Sequence, residues 1–565
     1  MGQGMRKLGF VGLALAAPGG LLAVGAASAA DYSTAPLSAA AAAKYTTKIN
    51  CKAPDAPYRD YKCLDAYLGD NIFERFYNYY LLEWGHAGPP ADPSAPSSHR
   101  DNVPPTPQST PPMPFTEWPY GGTTALGVTR TGSIDSPLMV AIANTGLGKF
   151  MNENGIQAYG WINGGGNIST NNVKPGGNWP AAYDFTPNNF QLDQAVIYVE
   201  RLPDTVQSDH IDWGFRVSAL YGENYRYTFA YGMLSYQLQN QNLYNGLDLA
   251  MLYGEIFFPQ FANGLIVRIG RFISIPDIEA QLAPNNYMYT HSMTYTYDNY
   301  TNTGVQLSWQ YNRNWILQLG TTVATEAMPW HWGNTVVNPF PNQVFPNTTM
   351  YKDPGAMLSI TGGLRWTSNT GDDDFNIVAD GINSGQWGYN NLQWYGFTYY
   401  HKFSDEWHLA AEAYTLGEKD VLNANNPTAQ TIMANNGFPF GSPQVTTGNG
   451  PGVAQCPAQQ VTCYARSVGF VTYWNWKFTP LDNLSIRPEF FDDLQGQRTG
   501  TKTRYVDFGI GWQHWLSPQI EFRPEVTYYR SLDAPAFNGN FNAIPTIAPT
   551  KNYALVGAAD VIWHF

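Results

Sequence analysis

The chain has 565 residues with 31 Lys and Arg against 44 Asp and Glu, and it carries 18 Trp, 37 Tyr and 29 Phe. Charged residues make up 13% of the chain, about half the usual share of ~25%. So many aromatic residues exclude a disordered chain, and a mean hydropathy of −0.31 excludes a helical membrane protein. The formal net charge of −13 and the lack of a basic patch argue against nucleic-acid binding.

The first 30 residues have the pattern of a secretory signal peptide. Arg6 and Lys7 precede a short apolar stretch at 8–24, and Ala27-Ser28-Ala29 follows as a cleavage motif. A transmembrane anchor is the weaker interpretation, because the apolar stretch is short and Pro18-Gly19-Gly20 interrupts it. The sequence therefore predicts export.

The four cysteines form two local pairs, Cys51 with Cys63 and Cys456 with Cys463. An even number at short spacing in an exported chain predicts two small disulfide loops. Neither pair has zinc-site spacing, and no pair of histidines lies beside them.

The segments that follow the signal differ in composition. Residues 31–88 contain the first cysteine pair and a predicted helix from Ile72 to Trp84, which Pro89 and Pro90 would stop. Residues 89–134 form a Pro-rich linker.

Residues 135–154 predict a second helix, from Ser136 to Phe150, that leads into the last segment, 155–565. Two interpretations of everything before residue 155 stay open. These segments restrict the interior of the following domain or its periplasmic mouth, or they form a periplasmic appendage or spacer.

From residue 155 onward, apolar and polar residues alternate. Trp213, Phe215 and Val217 are apolar, with Gly214 and Arg216 between them. A period of two gives each strand one apolar and one polar face. We predict sixteen strands at about 155–164, 189–202, 211–222, 246–258, 264–274, 303–312, 314–323, 355–367, 373–382, 392–403, 406–417, 464–478, 482–494, 503–516, 519–530 and 551–565.

The links between these strands are short after even-numbered strands and mostly long after odd-numbered ones. Examples are the short turns Ser404-Asp405 and Ser517-Pro518 and the long links 275–302 and 418–463. This sorting is typical of an all-β, antiparallel, up-and-down transmembrane barrel with turns at one end and loops at the other. Aromatic residues cluster at the strand ends beside the short turns, as in interfacial girdles; aromatics filling a soluble core are the alternative. That alternative is weaker, because the opposite face of each strand is polar.

The last strand has apolar residues at alternate positions, including Tyr553, Val561, Trp563 and Phe565. A terminal Phe after such a strand resembles the signal that outer-membrane barrels present to their insertion machinery. Together with the expected signal peptide and the alternation, it predicts an outer-membrane location.

Several stretches carry a resemblance to one family. They are Gly155–Gly164, Glu200–Pro203, Leu247–Pro259, Asn263–Phe272, Ala283–Asn286, Tyr289–Ser292, Thr303–Val305, Arg487–Glu489 and Arg523–Glu525. In these stretches the chain resembles the OmpL-like beta-barrel porin-2 family of Gram-negative outer membranes, over about residues 115–565. The resemblance implies an outer-membrane channel. The two cysteine-bearing segments have no counterpart in it.

Charged residues on the polar face of the strands are candidates for lining the pore. They are Arg216, Arg268, Glu412, Arg487, Glu489, Asp507, Glu521, Arg523 and Glu525. They could form a ring that filters solutes, or they could pair across strands and brace the wall. The second interpretation is favoured, because Arg and Glu occur in mixed pairs. Pro488 and Pro524 are expected to cause a bulge or local bend.

Enzyme motifs are not found, and the sequence predicts no catalytic residue, metal or cofactor. His401 and His408 lack ligand spacing, Asp372-Asp373-Asp374 is expected to be a charged turn, and Gly164-Gly165-Gly166 is expected to open a loop.

The sequence therefore predicts a porin for passive diffusion of small hydrophilic solutes or ions. The expected partners are outer-membrane lipid, the insertion machinery and the solutes, with monomer or homotrimer left open. Two alternatives remain: a closed outer-membrane barrel whose long loops bind a ligand or surface, and a secreted soluble β-protein such as a lectin or glycan-active enzyme.

Overall fold

The computed structural model describes residues 68–83 and 136–565. Within the second range it omits positions 206, 240, 242, 405, 480 and 518 and segments 274–277, 332–355, 386–390, 437–452 and 541–546. The chain divides into Met1–Ala56 and Pro57–Phe565, and all that follows concerns the second unit. The signal peptide, the Cys51/Cys63 pair and the whole Pro-rich linker lie outside the described residues.

The fold is a closed barrel of sixteen strands in which each strand is antiparallel to its neighbours and the last pairs with the first. The predicted fold class is confirmed. The strands are Gln157–Ser169 (β1), Phe190–Arg201 (β2), Asp212–Gly222 (β3), Gly246–Phe258 (β4), Leu265–Ile273 (β5), Thr301–Gln310 (β6), Trp315–Thr325 (β7), Ser359–Thr367 (β8), Asp373–Ile382 (β9), Gln393–Lys402 (β10), Trp407–Leu422 (β11), Thr462–Thr479 (β12), Asp482–Asp493 (β13), Thr503–Ser517 (β14), Ile520–Ser531 (β15) and Tyr553–His564 (β16).

The alternation in sequence becomes an alternation of environment. On β14, Phe508, Ile510 and Trp512 are exposed on the outside, whereas Asp507 and Gln513 are buried on the inside. Successive side chains of a strand point to opposite faces, so the register sends the apolar set outward and the polar set inward.

The two proline-bearing strands keep their register. Across Pro488, Val471 pairs with Glu489 and Trp474 with Ile486, with no shift between them. At Pro488 the ladder between β12 and β13 lacks two residue pairs and then resumes in the same register. This agrees with the missing backbone N–H of proline, which removes a hydrogen bond toward one neighbouring strand only. The same holds at Pro524, so the expected bulges are wrong.

The glycine run 164–166 does not open a loop, so that expectation is wrong. These residues continue β1, with a register shift between Asn163 and Gly164. A Cβ on Gly165 would lie 2.3 Å from Cζ of Tyr289, which belongs to a loop inside the barrel. Glycine is needed in this strand because another segment packs directly against it.

Among the described residues, three helices precede the barrel: Ile72–Glu83 (α1), Pro137–Ile142 (α2) and Gly146–Glu153 (α3). The single helix predicted from Ser136 to Phe150 is two helices. Ser136 caps α2 by accepting from the Met139 N–H at 3.1 Å, and Thr145 starts α3 by accepting from the Gly148 N–H at 3.0 Å.

Further helices lie in the long loops, at Tyr236–Gln239 (α4), Met293–Thr296 (α5) and Pro427–Asn436 (α6). In the described part of the chain, none of the helices has the length and apolar character needed to cross a bilayer.

The three N-terminal helices lie against the outside of the barrel at its short-turn end. Met139 of α2 and Met151 of α3 pack on Ala158 of β1. Ala158 lies on the outer face of β1, because the residues next to it in the strand point inward. Phe76 of α1 packs on Trp563, which shares the outer face of β16 with exposed Val561. These three helices therefore do not occupy the interior, while residues 84–135 lie outside the described range.

Candidate functional site

The link between β5 and β6 folds into the barrel. Its described part, residues 278–300, is called the inner loop here. Tyr295 and Tyr297 of this loop are fully buried, and they share an apolar cluster with Tyr414 of β11 and Phe491 of β13. The hydroxyl of Tyr414 donates to the Thr294 carbonyl over 2.6 Å. The inner loop thus narrows the space that the strands enclose.

Local hydrogen bonds shape the inner loop. Ser292 caps α5 by accepting from the Tyr295 N–H at 2.9 Å. The Asn286 side chain accepts from the Ala280 N–H at 2.8 Å and donates to the Ala280 carbonyl at 2.6 Å. These bonds satisfy backbone groups that a buried loop would otherwise leave without partners.

Three carboxylates of the barrel wall accept hydrogen bonds from inner-loop backbone N–H groups. Glu412 on β11 accepts from Ile278 at 3.1 Å, Glu489 on β13 from Met293 at 2.9 Å, and Glu525 on β15 from Thr290 at 3.0 Å. Glu489 also accepts from the backbone N–H and the hydroxyl of Thr294. Ionised acceptors make such bonds stronger than neutral ones, so these residues anchor the loop to three strands.

Two wall arginines hold the carbonyl groups of the same loop. Arg487 donates from Nη1 to the Thr290 carbonyl at 2.6 Å. Arg523 donates from Nη1 to the Ala283 carbonyl at 2.7 Å and to the Asn286 carbonyl at 3.1 Å. Five of the nine charged residues singled out in the sequence therefore touch the inner loop.

Of the other four, Arg216, Arg268 and Glu521 make contacts within the wall. Arg216 pairs with Glu200 of β2 at 2.6 Å, and Arg268 pairs with Glu255 of β4, its Nε lying 2.7 Å from Oε1. Glu521 lies 3.8 Å from Arg523. Asp507 is buried opposite Glu489, and neither of its carboxylate oxygens has a hydrogen-bond partner among the described residues.

Two titratable groups of the inner loop lie side by side. Burial raises the pKa of Glu279, although the guanidinium of Arg487 and a bond from Ser292 oppose that rise. Burial also lowers the pKa of His291 well below its usual value, and the positive charges of Arg523 and Arg487 add to the effect. The neutral imidazole is therefore the favoured form, 3.7 Å from Glu279.

Two more loops meet the inner loop within the barrel. Tyr183 of the β1–β2 loop stacks on Tyr227 of the β3–β4 loop, with ring centroids 4.3 Å apart. Tyr297 of the inner loop donates its hydroxyl to the Pro180 carbonyl at 2.8 Å. The long links were expected at one end of the barrel, and their packing inside it was not predicted. The tyrosines of these links were the sequence signal that could have predicted the packing, because an exposed loop does not bury such side chains.

Metal-ligating side chains do not come together: the described residues contain no group of three or more that could hold a metal ion. His401 contacts Asp373 at 2.7 Å, whereas His408 contacts the Tyr287 hydroxyl at 2.7 Å. The two histidines thus belong to separate hydrogen-bond networks.

The remaining candidates lie away from the interior. Cys456, in the loop between β11 and β12, forms a disulfide with Cys463 at the start of β12. At the C-terminus, Phe565 and Gly160 exchange two backbone hydrogen bonds of 2.9 Å, which extend the seam between β16 and β1. Tyr553 and Val561 are exposed on the outer face.

Comparison with known proteins gives one family match. The model of the family described as "Putative beta-barrel porin-2, OmpL-like" matches residues 155–565. None of the curated proteins searched is similar to the chain.

Solved structures with a similar arrangement include three outer-membrane proteins. The anion-selective porin of Comamonas acidovorans is 7% identical with a TM-score of 0.41, covering 73% of this chain and 99% of that one. The channel DcaP of Acinetobacter baumannii is 8% identical with a TM-score of 0.40, covering 73% and 97%. OmpT of Vibrio cholerae is 8% identical with a TM-score of 0.39, covering 73% and 97%.

Proposed function

The chain belongs to the OmpL-like beta-barrel porin-2 family, and from this premise we propose that it is an outer-membrane porin through which small hydrophilic solutes or ions diffuse passively. Its strands close on themselves, so every strand finds a hydrogen-bonding neighbour on both sides. Only such a closed sheet, or a helix, can expose itself to hydrocarbon without unsatisfied backbone groups.

One observation carries this proposal: the barrel is apolar outside and polar inside. Phe508 and Ile510 are exposed on the outer face, whereas Arg487 and Glu525 are buried on the inner face. A soluble β-protein arranges its faces the other way round, because it must cover apolar surface and wet its charges. Lipid outside and water inside satisfy both faces.

The inner loop sets the width of the passage in this proposal. Because Glu412, Glu489, Glu525, Arg487 and Arg523 hold it, these residues control solute size through the loop. The wall pairs made by Arg216, Arg268 and Glu521, together with Asp507, would line the remaining space. All nine of these charged residues are therefore proposed as pore-lining.

Export and assembly complete the proposal. Residues 1–30 would be removed as a signal peptide in a Gram-negative cell, 31–88 and 89–134 would form the periplasmic region and linker, and 135–154 would lead into the barrel. The alternation of Tyr553, Val561, Trp563 and Phe565 would be recognised by the insertion machinery. Both a monomer and a homotrimer are compatible with these features.

The test is electrical. The mature chain, extracted from membranes in detergent and inserted into planar bilayers in molar KCl, should give discrete, ohmic conductance steps. Swelling of loaded liposomes with sugars of increasing size should then show a cut-off. A preparation that remains soluble without detergent would instead support a secreted β-protein.

A closed barrel that binds a ligand with its loops is the second candidate. The packing of Tyr183, Tyr227 and Tyr297 inside the barrel favours it. A folded, heat-modifiable protein that inserts into bilayers but conducts no ions would decide for this candidate and against the porin.

A further inference from the structure

Helix α1 carries four aromatic rings on one face. Phe73, Phe76, Tyr77 and Tyr80 are spaced i, i+3, i+4 and i+7, which places them in one stripe. Phe76 and Tyr80 lie against Trp563 of β16, with ring centroids 6.3 and 6.0 Å apart. The other two rings continue the stripe away from the barrel.

The attachment point of this stripe is on the outer face of the barrel. Ile562 and His564 of β16 are fully buried on the inside, whereas Val561 is exposed and Trp563 shares its face. The Trp563 indole donates to the Tyr80 hydroxyl at 3.1 Å, and this hydroxyl donates to the His564 carbonyl at 2.9 Å. Helix α1 is thus fixed to the side of β16 that faces hydrocarbon in a membrane barrel.

The opposite face of α1 is held as well. The buried Arg75 donates from Nε to the Val140 carbonyl of α2 at 3.0 Å. Gln519, in the turn between β14 and β15, donates to the Tyr79 hydroxyl at 3.3 Å. Because both sides are bonded, the helix has one orientation, and Phe73 and Tyr77 are left 86% and 64% exposed.

Helix α3, which contacts α2, has a similar arrangement. Met151 packs on the outer residue Ala158 of β1, while Leu147 and Phe150 are exposed. Both helices lie at the short-turn end, where the exposed rings of Trp407 and Trp476 stack at 5.4 Å on the outside. The exposed apolar residues of α1 and α3 therefore lie at the same end of the barrel as these rings, where aromatic residues mark the edge of the membrane.

We propose that α1 and α3 form an interfacial collar: Phe73, Tyr77, Leu147 and Phe150 insert into the headgroup boundary of the periplasmic leaflet beside the seam between β16 and β1. The occupant of this apolar surface is phospholipid, and the proposal rests on the membrane location given under the proposed function. Rings with an apolar body and a polar edge favour this depth.

The charge of α1 indicates whether headgroup charge or apolar contact drives its insertion into lipid. Arg75 is the helix's one basic residue, and it is bonded to carbonyl groups inside the collar. No cation is left on α1 to attract anionic headgroups, so the insertion of this helix depends on apolar contact alone. Zwitterionic and anionic vesicles should therefore give the same insertion depth for Phe73 and Tyr77, whereas the exposed Lys149 of α3 can attract anionic headgroups.

Spin labels on the full mature chain test the collar. Labels at F73C, Y77C and L147C would be compared with E74C, a polar and exposed position on the same helix, and with L307C on the outer face of β6. The chain would be reconstituted in zwitterionic vesicles, with heat-modifiable gel mobility as the check of folding. The collision rate with oxygen reports contact of the label with lipid, and the collision rate with a water-soluble nickel complex reports contact with water.

The collar predicts that F73C, Y77C and L147C are oxygen-rich and protected from nickel, as L307C is, while E74C is accessible to nickel. If the three collar labels behave as E74C does while L307C reports lipid, the collar is wrong and the barrel stands. Dipolar broadening between copies of the chain, or protection of the collar labels from both reagents, would mean that protein covers the helix in place of lipid. Either result would also overturn the collar. An aqueous L307C would overturn the membrane barrel itself.

Discussion

The backbone N–H of Thr290 donates to Glu525 at 3.0 Å, although the two residues are 235 positions apart in sequence. Together with the bond from Arg487 to the Thr290 carbonyl, this contact fixes one residue of the inner loop from two strands. The charges of the wall therefore act first as anchors of a loop, and their effect on passing solutes runs through the position of that loop.

Removing an anchor should loosen the inner loop. E489A deletes the acceptor of the Met293 and Thr294 N–H groups, and each buried donor left without a partner costs about 1–3 kcal/mol. We expect a larger and noisier single-channel conductance than in the wild type. E406A, in an exposed turn, is the matched control and should conduct as the wild type does. Identical traces for both variants would argue against the anchor.

Two arginine–aspartate pairs should differ sharply in their contribution to stability. Arg523 and Asp560 are buried, whereas Arg504 and Asp533 are 51% and 42% exposed. R523Q leaves a buried carboxylate unpaired and should lower the free energy of unfolding by about 3–5 kcal/mol. R504Q should leave it almost unchanged, because water screens this exposed pair. Denaturant titration of the heat-modifiable gel band measures both, and equal losses would contradict the burial of Arg523.

Adjacent glycines of β1 offer a test of packing between the wall and the inner loop. A Cβ on Gly165 would come within 2.3 Å of Tyr289, whereas a Cβ on Gly164 meets nothing closer than 3.5 Å. G165A should therefore destabilise the barrel by about 1–3 kcal/mol through overpacking. G164A should be close to neutral. A neutral G165A would show that Tyr289 does not lie against β1.

One buried carboxyl should make stability depend on pH. Burial raises the pKa of Glu223, just after β3, to about 8 from 4.5; Arg226 opposes this and Asp184 adds to it. Between these values the folded chain keeps a proton that the unfolded chain releases, so stability falls as pH rises, by about 1.4 kcal/mol per unit at most. E223Q should reduce this slope when unfolding is measured at about pH 5 and about pH 9, while other buried carboxyls with a raised pKa, such as Glu279, keep the remainder. An unchanged slope would assign it to other groups.

The barrel was predictable because it follows from a local rule. Alternation at Trp213, Phe215 and Val217 gives a strand whatever the distant sequence is, and β3 spans Asp212–Gly222 against the expected 211–222. The same rule placed the charged candidates on the inner face, since period two fixes the side of every residue once one is known.

The contacts of those candidates were not predictable from local rules. Glu489 could be assigned to the inner face, but its bond to Met293 joins positions 196 residues apart. The glycine run failed for the same reason, since Gly165 is explained by Tyr289 in a distant loop. The single helix expected near residue 145 failed on a local detail, the capping of Gly148 by Thr145.

Neighbouring labels on β6 test most directly which face of the barrel meets lipid. Leu307 is exposed on the outside, and Gln306 is buried on the inside. In vesicles, a spin label at L307C should collide often with oxygen and rarely with the nickel complex, and a label at Q306C should show no contact with lipid. A reversed pattern, or two labels equally accessible to water, would contradict the account.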